Sequence, residues 1–236
     1  MIAQFFNVLW SLPKTLYFNF RCFPLRVALK LPVFVHYSYR LYLKTPKVSF
    51  SPDTSISTFL VRFGSRGSRG VIANNHGCIC IENGSVIFNG FATFAYGCSI
   101  RVSGLLTIGR NFSANRNSFI ACSRSVTIKN DVLTGWNISI RDTDGHTIVQ
   151  DGRPKRSQKD VVIGNHVWIC SFAHILKGVT IGDGSVVGYR ATVTKPLPEN
   201  NCLIVGFPAK VVQTGIEWGS YRPELEDLTS QEDETR

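Results

Sequence analysis

From Ile163 onward an apolar residue recurs every six positions without a slip: Ile163, Ile169, Ile175, Ile181, Val187 and Val193. Four of the six are followed by a small residue, Gly164, Cys170, Gly182 and Gly188. The same register returns upstream as Phe88, Phe94 and Ile100, then Ile108, Ala114 and Ile120, then Ile128, Thr134 and Ile140, each triplet 20 residues after the last. A period of six is neither the 3.6 of a helix nor the two of a strand. It fits a coil of three hexapeptides, with the apolar residue pointing into a triangular prism and a small residue at the tight corner beside it. Stacked coils bury their apolar rows against one another. The sequence therefore predicts an all-β fold, a parallel β-helix of hexapeptide repeats, with an N-terminal cap segment and a short C-terminal tail.

Interruptions of the period place the loops. The step from Ile140 to Ile163 is 23 residues and passes through His146 and the polar stretch Asp151–Asp160. This predicts a loop over 143–160 thrown out of the coil. Over 53–87 the residues Ile72, Ile79, Ile81 and Ile87 share no clean register, which predicts one or two degenerate coils. The expected divisions are an N-terminal segment 1–52, the β-helix 53–212 and a tail 213–236.

Charge follows these divisions. The chain of 236 residues has 26 Lys and Arg against 16 Asp and Glu, a formal net charge of +10. Such an excess suits an anionic partner. Residues 1–52 hold no acid and seven basic residues, Lys14, Arg21, Arg26, Lys30, Arg40, Lys44 and Lys47, interleaved with aromatics such as Trp10, Tyr17, Phe18 and Phe20. Pro13, Pro24, Pro32 and Pro46 are expected to cut any helix there into short pieces. Two readings stand: residues 1–50 make peripheral contact with an anionic membrane, or they cap the domain and pack their aromatics onto it. Residues 217–236 hold seven of the 16 acids, so the tail is expected to be solvated.

Hydrophobic residues are 44% of the chain, which excludes wholesale disorder. The seven cysteines contain no C-x-x-C pair, against zinc ribbons and thioredoxin-like chemistry, and fit a reducing compartment. No run of 18 apolar residues predicts a membrane span, and no basic n-region with a cleavage site predicts a signal peptide. The expected location is the cytoplasm, or the inner face of the membrane as a peripheral protein.

The run from Ile163 to Lys195, IGNHVWICSFAHILKGVTIGDGSVVGYRATVTK, followed by GFPAK at 206–210, resembles the left-handed β-helix hexapeptide acyltransferases. SANRNSFIA at 113–121, VTIKNDVL at 126–133 and NISIRDTDGH at 137–146 are similar to the sugar O-acetyltransferase branch, which includes galactoside, maltose and capsule or exopolysaccharide acetyltransferases. The resemblance spans about residues 88–212. It implies a left-handed helix, acetyl-CoA as co-substrate, a sugar or glycan acceptor, and a homotrimer with each active site between two prisms.

Acetyl transfer from a thioester to a hydroxyl needs a base for the hydroxyl proton, donors for the developing oxyanion and a seat for the phosphorylated co-substrate. His146 is the candidate base, since an imidazole titrates near neutrality. Asp142 and Asp144 precede it at alternate positions, which share one face of an extended segment. Either is placed to hold the imidazole in one tautomer. By resemblance, Trp168 lines the pantetheine channel, the Ser171 N–H faces the thioester carbonyl, and Lys195 and Lys210 stand near the phosphates of coenzyme A. Asn115 matches an acceptor-binding Asn, although Asn also suits β-helix corners because it tolerates left-handed backbone angles. The branch's acidic acceptor contact is Ser123 here. His36, His76, His166 and His174 lack the spacing of a zinc site, so no metal is expected. No recognition helix or aromatic RNA-binding pattern is present, so no nucleic-acid partner is expected. Alternatives on the same scaffold are N-acetylation of an amino sugar, O-acetylation of an amino acid, or a non-catalytic β-helix.

Overall fold

The computed structural model of the chain describes residues 2–65, 67 and 76–219. Three parallel sheets form the faces of a prism. The first face stacks Val33–Val35, Val61–Ser65, Ala92–Ala95, Phe112–Ala114, Leu133–Thr134, Trp168–Ile169, Val186–Val187 and Cys202–Gly206. The second stacks Arg40–Leu43, Cys78–Ile81, Ser99–Val102, Phe119–Cys122, Ser139–Arg141, His174–Ile175 and Thr192–Val193. The third stacks Lys47–Phe50, Ser85–Phe88, Leu105–Ile108, Ser125–Ile128, Val161–Ile163 and Thr180–Ile181. The chain visits the faces in that order, so each round of three strands is one coil. This is the left-handed parallel β-helix expected from the hexapeptide repeat. Ala209–Thr214 turns back antiparallel on Cys202–Gly206 and closes the far end of the first face.

The six-residue columns line up rung on rung. Ile108, Ile128, Ile163 and Ile181 are successive partners on the third face. Ile100, Ile120, Ile140, Ile175 and Val193 are partners on the second, and Phe94, Ala114, Thr134, Ile169 and Val187 on the first. With Phe88 they make 15 positions, none more than 2% exposed. Each large side chain so buried stabilises the fold by about 1.5–3 kcal/mol before entropy is counted. Thr134 is the one polar member, and its hydroxyl donates to the Gly135 carbonyl at 3.2 Å. The edge between third and first faces is tied by side chains instead. Asn130, Asn165, Asp183 and Asn200 each accept a backbone N–H from the coil below, at 2.8–3.2 Å.

The coils begin earlier than the sequence indicates. Strands at Val33–Val35, Arg40–Leu43 and Lys47–Phe50 form a complete first coil in register with the second, so the division expected after residue 52 falls at about residue 32. Residues 51–60 and 66–77 intervene between neighbouring strands and break the spacing from which the repeat is read. Ile72 lies outside the described residues.

Pro13 does not divide the N-terminal helix. Helix α1 runs unbroken over Ile2–Cys22, followed by the short α2, Leu25–Ala28. Pro13 lies on the exposed side, so the Leu9 carbonyl that loses its N–H partner can bond to water. The opposite side is fixed by tertiary hydrogen bonds. Thr15 Oγ1 accepts the Val35 N–H (3.1 Å), and Asn19 accepts the Val33 N–H (3.1 Å) while donating to the Val33 carbonyl (2.6 Å). Ser11 Oγ accepts the Tyr37 N–H at 3.0 Å, and Lys14 Nζ donates to the Tyr37 carbonyl at 2.6 Å. Spaced by four, Ser11, Thr15 and Asn19 cover the open edge of the first strand, which otherwise presents unpaired backbone to other chains. The segment is a cap, but only some of its aromatics pack inward. Phe18 and Phe23 enter the core, whereas Trp10, Tyr17 and Phe20 face outward.

Beneath the cap, the ring of His36 is buried against Tyr37 and Tyr96, with Nδ1 2.8 Å from Ser38 Oγ. Burial, aided by the nearby Lys14 charge, lowers its pKa from 6.5 to about 4. The unfolded chain therefore binds this proton first as pH falls. The stabilisation is complete above pH 6.5 and is lost progressively down to about pH 4, by about 2 kcal/mol after allowance for solvent screening. Melting temperatures measured across this range should fall for the wild type and fall less for His36→Gln. Equal slopes would assign the acid sensitivity elsewhere.

Candidate active site

His146 lies on the segment that leaves the second face after Arg141 and rejoins the third at Val161. Its imidazole is exposed and makes no hydrogen bond among the described residues. The segment carries a two-stranded hairpin, Val149–Gln150 with Arg153–Pro154, and Thr143 bridges Gln158 at its root. The loop predicted over 143–160 is thus a built projection.

The two aspartates do not share a face. The strand ends at Arg141 and Gly145 adopts φ +79°, so alternation stops before it reaches the histidine. Asp142 turns inward and is fully buried. Its carboxylate accepts the backbone N–H groups of Ser123, Arg124 and Ser125 at 2.6–3.0 Å. It fastens the corner between second and third faces and does not reach the imidazole. Asp144 turns outward and pairs with Lys177, whose ammonium also donates to the Arg156 carbonyl at 2.9 Å. That clamp ties the loop to the next coil.

Beside the loop, the outer surface of the second face forms a groove of about 310 Å³. Arg101, Phe119, Ser123 and Arg141 form its floor and walls, and Asp144 and Gly145 close one end. The Arg141 guanidinium lies 5.9 Å over the Phe119 ring. Arg101 pairs with Glu82 at 3.6 Å, both side chains being well exposed, a contact of little energetic weight. Ser123 places no negative charge in this groove.

The other expected residues lie elsewhere on the prism. Trp168 projects from the first face one coil above the root of the loop, 38% exposed. Ser171 sits at the following corner, between first and second faces, and its N–H has no acceptor among the described residues. Ser171 Oγ accepts the Trp136 N–H at 3.2 Å. Gly135 packs on this corner: a Cβ there would come within 2.5 Å of the Ser171 nitrogen. A glycine at 135 thus leaves the Ser171 amide uncovered, as an oxyanion donor requires. Lys195 follows the last strand of the second face, and Lys210 lies on the closing hairpin opposite Val205. Both are exposed. The four therefore occupy the last two coils and the hairpin, whereas His146 hangs from the edge between second and third faces.

Asn115 lies two coils below Ser171 on the same edge. Its backbone is not left-handed; the corner residue with positive φ is Asn117, at +58°. The Asn115 carboxamide oxygen accepts the Arg116 N–H at 2.9 Å, and the side chain does not line the groove beside the loop.

One contact has no counterpart in the sequence reading. Trp218 stacks on His166 (centroids 4.1 Å apart, 8° between planes), and its Nε1 donates to the His166 carbonyl at 2.8 Å. Its ring also comes within 6.0 Å of the Trp168 ring. The first residues of the tail are therefore docked beside Trp168 rather than solvated; the remainder lies outside the described residues. Among the described residues no three His, Cys, Asp or Glu side chains come close enough to hold a metal ion.

Comparison with known proteins follows the same outline. The sequence profile for bacterial transferase hexapeptide (six repeats) matches residues 160–195. The galactoside O-acetyltransferase of Escherichia coli K12 is 39% identical over 122 residues, which is 51% of this chain and 56% of that protein. The protein WbbJ of the same strain, named as a lipopolysaccharide biosynthesis O-acetyl transferase, is 30% identical over 151 residues, 58% of this chain and 75% of that protein. The chain thus spans little more than half the length of the galactoside enzyme and three quarters of WbbJ. Among solved structures, the polySia-specific acetyltransferase NeuO superposes with a TM-score of 0.52 at 21% identity, covering 84% of this chain and 87% of that one, a likeness of fold.

Proposed function

Because the chain belongs to the bacterial hexapeptide-repeat transferases, in their sugar O-acetyltransferase branch, we propose that it moves an acetyl group from acetyl-CoA to a hydroxyl of a sugar or glycan precursor in surface polysaccharide synthesis. His146 takes the proton of the acceptor hydroxyl, whose oxygen attacks the thioester carbonyl. The charge that develops on the carbonyl oxygen meets the Ser171 N–H. As the carbon–sulfur bond breaks, the thiolate of coenzyme A receives the proton from His146, leaving an acetyl ester and the free thiol. Trp168 shapes the pantetheine channel, Lys195 and Lys210 face the phosphates, and Asn115 holds the acceptor. The arginines of the groove suit an acceptor bearing a carboxylate or phosphate. Asp144 remains the acid nearer to His146 in sequence, while Asp142 supports the loop root.

The carrying observation is the division of the parts between edges of the prism. His146 and the groove sit at one edge, and Trp168 and Ser171 with the terminal lysines sit around the first face. A single chain leaves them apart. A homotrimer in which the loop of one copy leans over the first face of its neighbour unites them. In the same reading the protein works in the cytoplasm, with residues 1–50 against the inner face of the membrane. No helix among the described residues is long and apolar enough to cross one.

Calorimetric titration with coenzyme A tests this seat. The wild type should bind, and Lys195→Gln with Lys210→Gln should weaken binding by about tenfold, the equivalent of one lost charge-assisted contact. Equal affinity in the double variant would move the phosphates away from both lysines. Absence of binding by the wild type would remove the transferase reading.

A further inference from the structure

Helix α1 is amphipathic in the reverse sense. Toward the protein it presents the buried polar residues Ser11, Thr15 and Asn19. Outward it presents Phe6, Leu9, Trp10, Leu16, Tyr17 and Phe20, between 42% and 70% exposed. These six recur at steps of three and four around Pro13 and form one stripe along the helix. Leu25 and Leu29 of the α2 turn, 64% and 65% exposed, extend it. A continuous apolar surface of this kind is rare on a protein that meets only water.

Charge names the occupant. Residues 1–52 contain no acid, and Arg21, Arg26 and Lys30 are exposed at the end of the stripe. We propose that α1 and α2 lie in the surface of an anionic phospholipid bilayer, the helix axis parallel to the membrane, with the stripe among the acyl chains and these cations at the headgroups. Tryptophan and tyrosine are the side chains that favour this interface, and Trp10 and Tyr17 are the most exposed aromatics of the helix. A second copy of the chain fits poorly, because the same basic rim would face itself with no acid in the segment to pair with it. The helix cannot tilt to span the bilayer. Its hydrogen bonds from Ser11, Thr15 and Asn19 to the first coil hold it flat against the end of the prism.

The inference rests on the proposed peripheral membrane contact and names the surface that makes it; it does not depend on acetyl transfer. The test is flotation of the full chain with vesicles of phosphatidylcholine, alone or mixed with phosphatidylglycerol. The wild type should float with the mixed vesicles at low salt, and less at high salt. Trp10→Ser with Tyr17→Ser should reduce the bound fraction at least tenfold, and Arg26→Gln with Lys30→Gln should reduce it severalfold. All these residues are exposed, so melting temperature and turnover of a water-soluble acceptor should stay unchanged. Failure to float with either vesicle would overturn the inference. So would flotation unaffected by the aromatic variant, or self-association of the wild type that the aromatic variant abolishes. Flotation without acetyl transfer would instead remove the enzymatic reading and leave this one standing.

Discussion

Replacing His146 by alanine should lower kcat by about 100-fold or more, the usual contribution of a positioned general base, with the fold unaltered. The structural half of this expectation is as informative as the kinetic half. The imidazole is exposed and bonds to nothing in its own chain, so its removal opens no cavity and strands no donor. Circular dichroism and melting temperature should match the wild type, and coenzyme A should bind as before. A loss of turnover under those conditions reports chemistry. Turnover near the wild-type rate would remove His146 from the mechanism, and the loop with it.

Asp142→Ala should have the opposite signature, a loss of stability of about 3 kcal/mol. The fully buried carboxylate satisfies three consecutive backbone N–H groups at the corner Ser123–Ser125. Alanine leaves all three buried without an acceptor. The Asp142 carbonyl also accepts the Lys159 N–H at 2.9 Å, so the same residue ties the two ends of the loop. Urea unfolding should show the loss directly, and activity should fall with the folded fraction or with the placement of the loop. A variant as stable as the wild type but inactive would contradict this assignment. It would show that Asp142 acts on His146 and that the hydrogen bonds to the corner carry little weight.

What the sequence discloses depends on whether a physical rule acts through regular spacing. The 15 column positions are legible because one misplaced rung would put a polar residue inside or an isoleucine outside. The first coil obeys the same packing, but residues 51–60 and 66–77 dilute its spacing beyond recognition. The proline rule misleads at Pro13 because it concerns one hydrogen bond, and on the exposed side of α1 water replaces that bond. Alternation misleads at Asp142 and Asp144 because it holds only while the strand lasts, and the strand ends at Arg141. Composition misleads in the tail, whose acids conceal Trp218, one aromatic residue docked on His166. Trp218 could have been suspected only as the sole aromatic between Phe207 and Tyr221. The reversed polarity of α1 was open to reading, since Ser11, Thr15 and Asn19 share a helical face, but only for a helix that continues through Pro13.

The most direct measurement of the central claim is free-thiol release from acetyl-CoA, followed against a panel of neutral and acidic sugars, nucleotide sugars and glycan oligomers, with His146→Ala alongside. The account expects release that depends on an acceptor, is fastest with an acidic one, yields an acetyl ester and disappears in the variant. Acceptor-independent release, equal release by the variant, or no release together with no binding of coenzyme A would contradict it.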